Sequence, residues 1–175
     1  IKHEFKSNTP WKNTLISKLR TLGLFGKKST DKFIPSQYLM ASYENRLDLL
    51  RGLIDTDGHV NNKGAVSYST KSKQLANDFV FLVRSLGYRC SFHEYNRAEK
   101  GIDYIIRIFA KTDLIFTSNK HQARFDQKMK LKRFHKYEYL PIVKIEKLPD
   151  QQEMQCIMVN SPDHTFLCRD FIVTH

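Results

Sequence analysis

Cysteine is scarce in this chain. Cys90, Cys156 and Cys168 are three among 175 residues, odd in number and widely spaced. That pattern argues against a disulfide framework and against a zinc site, both of which need cysteines in even sets or close pairs. Long apolar runs are absent too: no stretch approaches the 18 residues of a membrane-spanning helix, and no signal peptide opens the chain. The expectation is a soluble, intracellular (cytoplasmic) protein with no membrane partner. Acid is in short supply, with 18 Asp and Glu against 29 Lys and Arg, a net charge of +11 and a pI near 9.6. Such an excess suggests a polyanionic partner, nucleic acid first. The excess is also unevenly placed: Lys120, Arg124, Lys128, Lys130, Lys132, Arg133 and Lys136 face one acid, Asp126, over a short stretch. Each phosphate neutralised there would release counterion and make binding salt-dependent. The length suits one good-sized core or two small domains.

What is present is concentrated between Leu49 and Gly58. Leu47, Leu50 and Ile54 recur at helical spacing, as do Leu49 and Leu53, so most of this helix circumference is apolar. Gly52 sits in its middle, at a cost of roughly 1 kcal/mol against Ala. Close approach of a second helix is the physical reason a helix tolerates such a residue. Asp57 and Gly58 end the segment, with Gly58 expected in the left-handed conformation that stops a helix. Two such helices side by side place two carboxylates within a few ångströms, able to hold a divalent metal. An ordinary buried helix with a C-terminal glycine is the alternative on physics alone.

Leu50 to Gly58 resembles the LAGLIDADG motif of homing endonucleases at Leu50, Gly52, Leu53, Ile54, Asp55, Asp57 and Gly58, and departs from it at Arg51 and Thr56. Lys27-Lys28-Ser29-Thr30-Asp31-Lys32-Phe33-Ile34-Pro35 is similar to the segment preceding the second such motif in intein endonucleases. Tyr68-Ser69-Thr70-Lys71-Ser72-Lys73-Gln74-Leu75-Ala76, followed by Leu86-Gly87, is similar to the segment after it. The end, Ser161-Pro162-Asp163-His164-Thr165-Phe166-Leu167 and Asp170-Phe171-Ile172-Val173-Thr174-His175, resembles the C-terminal splicing motifs of inteins. The resemblance covers nearly the whole chain. It implies the C-terminal portion of an intein (a Hint-type splicing domain) carrying a LAGLIDADG endonuclease.

The fold class expected is α+β. Residues 1–36 would be the tail of a preceding half-domain and a linker, and 37–138 a LAGLIDADG half-domain of order αββαββα with a twisted antiparallel sheet. Residues 139–175 would be C-terminal strands of the Hint fold. Periodicity places helices at Asn13 to Leu22, Glu44 to Asp57 and Lys71 to Leu86, with a turn at Asn61 to Gly64. A basic helix runs from Lys111 or Lys120 to His135. Alternation places strands at Ala65 to Thr70, Tyr88 to Tyr95 and Asp103 to Ala110, then short ones at Ile142 to Ile145, Gln155 to Val159, Thr165 to Leu167 and Phe171 to Val173. The terminal unit is too small to bury a core and must borrow strands. The expected partner is therefore an N-terminal intein portion bearing the other half-domain and the N-terminal splicing strands, split from this chain naturally or artificially.

For cleavage of double-stranded DNA, the resemblance makes Asp57 the metal-binding acid, with Mg2+ as its ion. Lys32, and more weakly Lys136, would stabilise charge at the scissile phosphate; Asp55 faces another side and reads as structural. Base contacts would come from Ser67, Ser69, Arg89, Ser91, His93, Arg107 and Tyr95, backbone contacts from Lys128, Lys130, Lys132 and Arg133. For splicing, which needs no cofactor, His175 resembles the penultimate histidine and His164 the histidine of the upstream motif, each able to move a proton during asparagine cyclisation. Cys156 falls where many inteins carry an aspartate; it is either a thiol that takes part in acyl transfer or a buried apolar residue. The sequence stops at His175, so the terminal asparagine that cyclises is missing. A stand-alone homodimeric LAGLIDADG endonuclease, and a DNA-binding remnant without cleavage, are the rival readings.

Overall fold

The computed structural model describes residues 14–61, 65–98, 101–109, 116, 122, 123, 125, 126, 144–147, 149, 150, 153, 155 and 157–174. Helix α1 (Thr14–Thr21) is followed by a short α2 (Ser36–Leu39) and the long motif helix α3 (Tyr43–Asp57). Strands β1 (Gly58–Val60) and β2 (Val66–Thr70), helix α4 (Lys73–Ser85), and strands β3 (Arg89–Arg97) and β4 (Gly101–Phe109) complete the central unit. A hairpin of β5 (Phe166–Leu167) and β6 (Val173–Thr174) ends the chain, joined by a 3-10 turn, Arg169–Phe171. The order helix, two strands, helix, two strands is the one expected, and Gln122, Ala123, Phe125 and Asp126 are helical beyond it.

Local chemistry sets the helix ends. Ser42 caps α3 and Ser72 caps α4, each side chain accepting from the amide three residues on. The Ser72 cap starts α4 at Lys73 rather than at Lys71 as the periodicity suggests. Gly87, at φ +80°, turns the chain out of α4, and Gly23, at φ +68°, does the same after α1. The four strands form one antiparallel sheet in the order β1-β2-β4-β3. In its register Ser67 faces Arg107 and Arg107 faces Ser91, while Tyr68 faces Ile106 and Ile106 faces Phe92. β1 escaped the sequence reading because three residues are too few to show alternation.

Helices α3 and α4 lie on one face of the sheet. Leu50, Ile54, Leu75, Phe79, Leu82 and Val83 meet Val60, Val66, Tyr68, Tyr104, Ile106 and Ile108 in a single core. Removing a side chain like Leu50 or Phe79 from water contributes roughly 1.5–3 kcal/mol. Tyr68 and Phe79 stack with ring centres 4.2 Å apart and planes at 12°. Phe125, also buried, packs edge-on against Phe116 at 5.3 Å. The C-terminal hairpin rests on the outer side of α4, where Arg84 pairs with Asp170 at 2.7 Å and Phe81 meets Phe171 edge-on at 5.1 Å. Asp170 and Phe171 both hold positive φ, at 63° and 61°, in the turn that makes these contacts.

Two expectations are corrected. Gly58 is not left-handed: its φ is −85° and its ψ 167°, and it begins β1 directly. Its role is steric, since a Cβ there would lie 2.4 Å from the Ile54 carbonyl oxygen. The strands expected at 142–145 and 155–159 are irregular at every described position (144, 145, 155 and 157–159), with Ile145 86% and Met158 92% exposed. A strand needs a neighbour to satisfy its ladder, and none of the described residues supplies one there. Phe171 likewise sits in the turn and not in a strand. Of the expected domain boundaries, the first falls inside α2 and the second among residues outside those described.

The two motif glycines should respond oppositely to alanine. Gly58→Ala forces backbone apart at Ile54 and should lower stability by about 1–3 kcal/mol or more. Gly52→Ala meets nothing within 4 Å among the described atoms and should raise it by about 0.5–1 kcal/mol. Urea unfolding of the two variants checks both signs.

Candidate functional site

Asp57 is the last residue of α3, exposed, at the end of the helix where the carbonyl dipoles point. No basic residue lies in that last turn, so helix end and carboxylate together make a site of negative potential. Asp57, Lys32 and Tyr68 border two adjoining clefts. One, of about 450 Å3, is apolar and runs between α1 and α3 past Leu19, Leu22, Leu49 and Leu53. The other, of about 480 Å3, is polar, opens toward the sheet and is lined also by Thr70, Lys71, Arg97 and Asp103. Burial, and then the Asp57 carboxylate beside it, push the Tyr68 phenol up to about 12. Tyr68 is therefore a neutral wall of the site and keeps its proton at ordinary pH.

Lys32 reaches this place because its backbone is clamped to the start of α4. The Ser72 hydroxyl donates to the Lys32 carbonyl at 2.5 Å, and the Ile34 amide donates to the Asp78 carboxylate at 2.8 Å. Asp78 is 7% exposed, and its other oxygen accepts from the Gln74 side chain at 2.8 Å. The buried Ser72, at the cap of α4, and the buried Asp78 within it thus hold a segment some forty residues earlier in the chain. Sequence reading missed Ser72 and Asp78; the cue available was an aspartate on the otherwise apolar stripe of Leu75, Phe79 and Leu82.

The face of the sheet away from the helices carries the residues proposed for base contact. One row across the strands is His59, Ser67, Arg107 and Ser91; the next is Ser69, Ile105 and His93. Arg89 and Tyr95 lie on the same face, by the alternation of β3. His93 Nε2 and Ser91 Oγ are 3.0 Å apart. Near the polar cleft Asp103 pairs with Lys71 and Arg97, both at 2.7 Å, a cluster that sequence reading also missed. The seven residues proposed for base contact therefore share one open, polar surface that carries two arginines.

The other candidates divide. His164 is exposed, at φ 56°, with Nδ1 3.4 Å from the Val159 carbonyl. It follows Asp163, whose carboxyl is held below its ordinary value by hydrogen bonds from Thr165 and Ser161. Lys128, Lys130, Lys132, Arg133, Lys136, Cys156 and His175 lie outside the described residues. Cys90 and Cys168 are free thiols. Burial raises the Cys90 thiol, while the neighbouring Arg84 pulls it the other way.

Among the described residues no three His, Cys, Asp or Glu converge on a point. One exposed carboxylate at a helix C-terminus still fits a hard cation such as Mg2+. That ion is commonly bound through one or two carboxylates, with waters and substrate phosphate completing its shell. No helix among the described residues is long and apolar enough to cross a membrane.

Residues 44–130 match the family model of the LAGLIDADG-like domain. The chain is similar to the replicative DNA helicase DnaB of Mycobacterium intracellulare, 48% identical over 77 residues, which is 44% of this chain and 13% of that protein. It is similar to DnaB of Rhodothermus marinus, 32% identical over 111 residues, 59% of the chain and 12% of the relative. It is also similar to the ATP-dependent DNA helicase Hel308 of Thermococcus kodakarensis, 42% identical over 80 residues, 42% of the chain and 7% of the relative. The chain thus spans only 7–13% of the length of these relatives. The domain match, with its mixed helices and antiparallel sheet, supports a domain of the homing-endonuclease type.

Removing the clamp should be felt at a distance. Asp78→Ala leaves the Ile34 amide buried without its acceptor and should cost about 1–3 kcal/mol. It should also release Lys32 from the cleft, seen as faster amide exchange at residues 32–34 than in the parent.

Proposed function

We propose that the central unit is one half of a metal-dependent homing endonuclease that cleaves double-stranded DNA, carried within an intein whose C-terminal segment ends this chain. The observation that carries the first part is a convergence. Asp57 and Lys32, distant in sequence, border one polar cleft at the end of an open sheet face that is rich in cations and hydroxyls. Mg2+ held by Asp57 would supply Lewis acidity to the phosphate and an activated water. The chain's own residues do the rest. Lys32, on a clamped backbone, would offer its ammonium to the charge that grows on the phosphate, Tyr68 bounds the site as a neutral group, and Lys71 and Arg97 add positive potential at the entrance. Asp57 alone is half of a two-carboxylate centre. The exposed Gly52 face of α3, with open space beside it, is where the helix of the other half-domain would bring the second.

The relatives favour an inserted element. Two helicases of different name, DnaB and Hel308, share a segment like this one over only 7–13% of their lengths. A piece common to different hosts and small in each is what a mobile insertion leaves, and an intein is such an insertion. The exposed apolar side chains of the terminal segment, Ile145, Ile157 and Met158, suit strands that await a partner. In this reading His164 and His175 move the protons of C-terminal cleavage, and Cys156 is a candidate thiol beside them.

Asp57→Asn, in the chain joined with its complementary half, should reduce nicking of a duplex target by about 100- to 1000-fold, the scale of losing one electrostatic stabiliser. Binding measured with Ca2+ should be kept. Cutting at the parental rate would remove Asp57 from the chemistry. For splicing, an asparagine placed after His175, together with the N-terminal intein portion, should yield ligated flanks, and His175→Ala should block release of the C-terminal flank. No ligation, with a folded homodimer that cuts DNA, would instead favour the stand-alone endonuclease.

A further inference from the structure

Most described arginines are already engaged. Arg51, Arg84 and Arg97 pair with Asp48, Asp170 and Asp103. Arg46 donates to the Ser85 carbonyl, and Arg20 and Arg89 lie over the rings of Phe25 and Phe109. Arg107 stands apart. It lies on β4, an inner strand, on the open face, and it is exposed. Its neighbours across the strands are Ser67 and Ser91, and along the strand Ile105 and Phe109. No carboxylate occupies any of those positions. The two cross-strand serines are too short to shield a guanidinium, and Ser91 is already within 3.0 Å of His93.

Position decides what such an arginine can touch. Three adjacent strands spaced about 4.8 Å apart span roughly 10 Å, which fits a major groove about 12 Å wide. The middle strand then runs above the groove floor, while the cations toward the sheet margin, Arg89, Arg97 and Lys71, lie nearer the phosphates. Residues two apart along a strand are about 6.8 Å apart. At a rise of 3.4 Å per base pair, consecutive rows meet the duplex about two base pairs apart.

We propose that Arg107 reads a guanine, donating in a forked pair to its O6 and N7, and that Ile105, one row along, packs against a thymine methyl about two base pairs away. Arginine to guanine is the geometric match of a planar fork with two acceptors, and an aliphatic side chain has one apolar feature to read in the groove, the thymine methyl. Asp103, held between Lys71 and Arg97, is excluded as a reader of the next row. This assignment rests on the DNA-cleavage reading and narrows it: the target must carry guanine and thymine at that spacing.

Selection from a randomised duplex library with the chain joined with its complementary half, using Ca2+ in place of Mg2+, tests both levels. The parent should enrich a motif holding that guanine and thymine. Arg107→Ala and Arg107→Gln should each lose preference at the guanine alone. Affinity for the selected site should fall by about 5- to 150-fold, the worth of one forked base contact, with binding to random duplex and its salt slope unchanged. Ile105→Ala should relax the thymine alone. Equal weakening on every sequence, with a salt slope flatter by about one, would make Arg107 a phosphate contact and overturn the assignment. An unchanged motif in the Arg107 variants would do the same. A joined protein that binds no duplex would overturn the cleavage reading itself.

Discussion

The geometry of the site depends on one buried carboxylate. Asp78 lies on the apolar stripe of α4, where an unpaired charge would be costly, and it is kept there by the Ile34 amide and the Gln74 side chain. With the Ser72 hydroxyl on the Lys32 carbonyl, it converts a loop into part of the scaffold. A lysine on a free loop samples many positions and loses most of its electrostatic value to water. A lysine whose backbone is held at its own carbonyl and at the amide two residues on keeps its place at the cleft that Asp57 also borders. Ser72 and Asp78 thus serve a neighbour in space as well as the helix they belong to.

The sheet divides its labour by face. Alternation sends Val66, Tyr68, Tyr104, Ile106 and Ile108 into the core, and Ser67, Ser69, Ile105 and Arg107 away from it. The same register that buries the apolar set therefore arrays the polar set in rows, and a slip of one residue would exchange them. Gly58 joins the two systems. Because no side chain stands against Ile54, the chain passes from α3 into β1 without a loop, and Asp57 is held at the seam of helix and sheet.

Much of this was legible beforehand. The helix Tyr43–Asp57 and the hairpin partners β3 and β4 follow from periodicity and alternation, which are local; that Ser67, Arg89, His93 and Arg107 share one face follows only from the register between strands. The Lys32 clamp was not legible, because a hydrogen bond between residues 34 and 78 leaves no periodic trace. Nor was the conformation of Gly58: left-handed freedom and steric clearance both call for glycine, and sequence alone does not tell them apart. The terminal strands failed for a third reason. Alternation marks a segment able to pair, while pairing itself needs a neighbour that the described residues there do not provide.

The hairpin at the end of the chain has a practical consequence. Phe171 covers Phe81, and Asp170 answers Arg84, on the side of α4 opposite the core. Phe171 holds a left-handed backbone to do so, a conformation that costs a bulky residue about 1–3 kcal/mol. Anyone trimming the central unit to its matched boundaries would strip that cover, leaving an oily ring and a guanidinium without its Asp170 partner on the new surface. A clean excision therefore calls for repainting α4 with polar side chains at the outset.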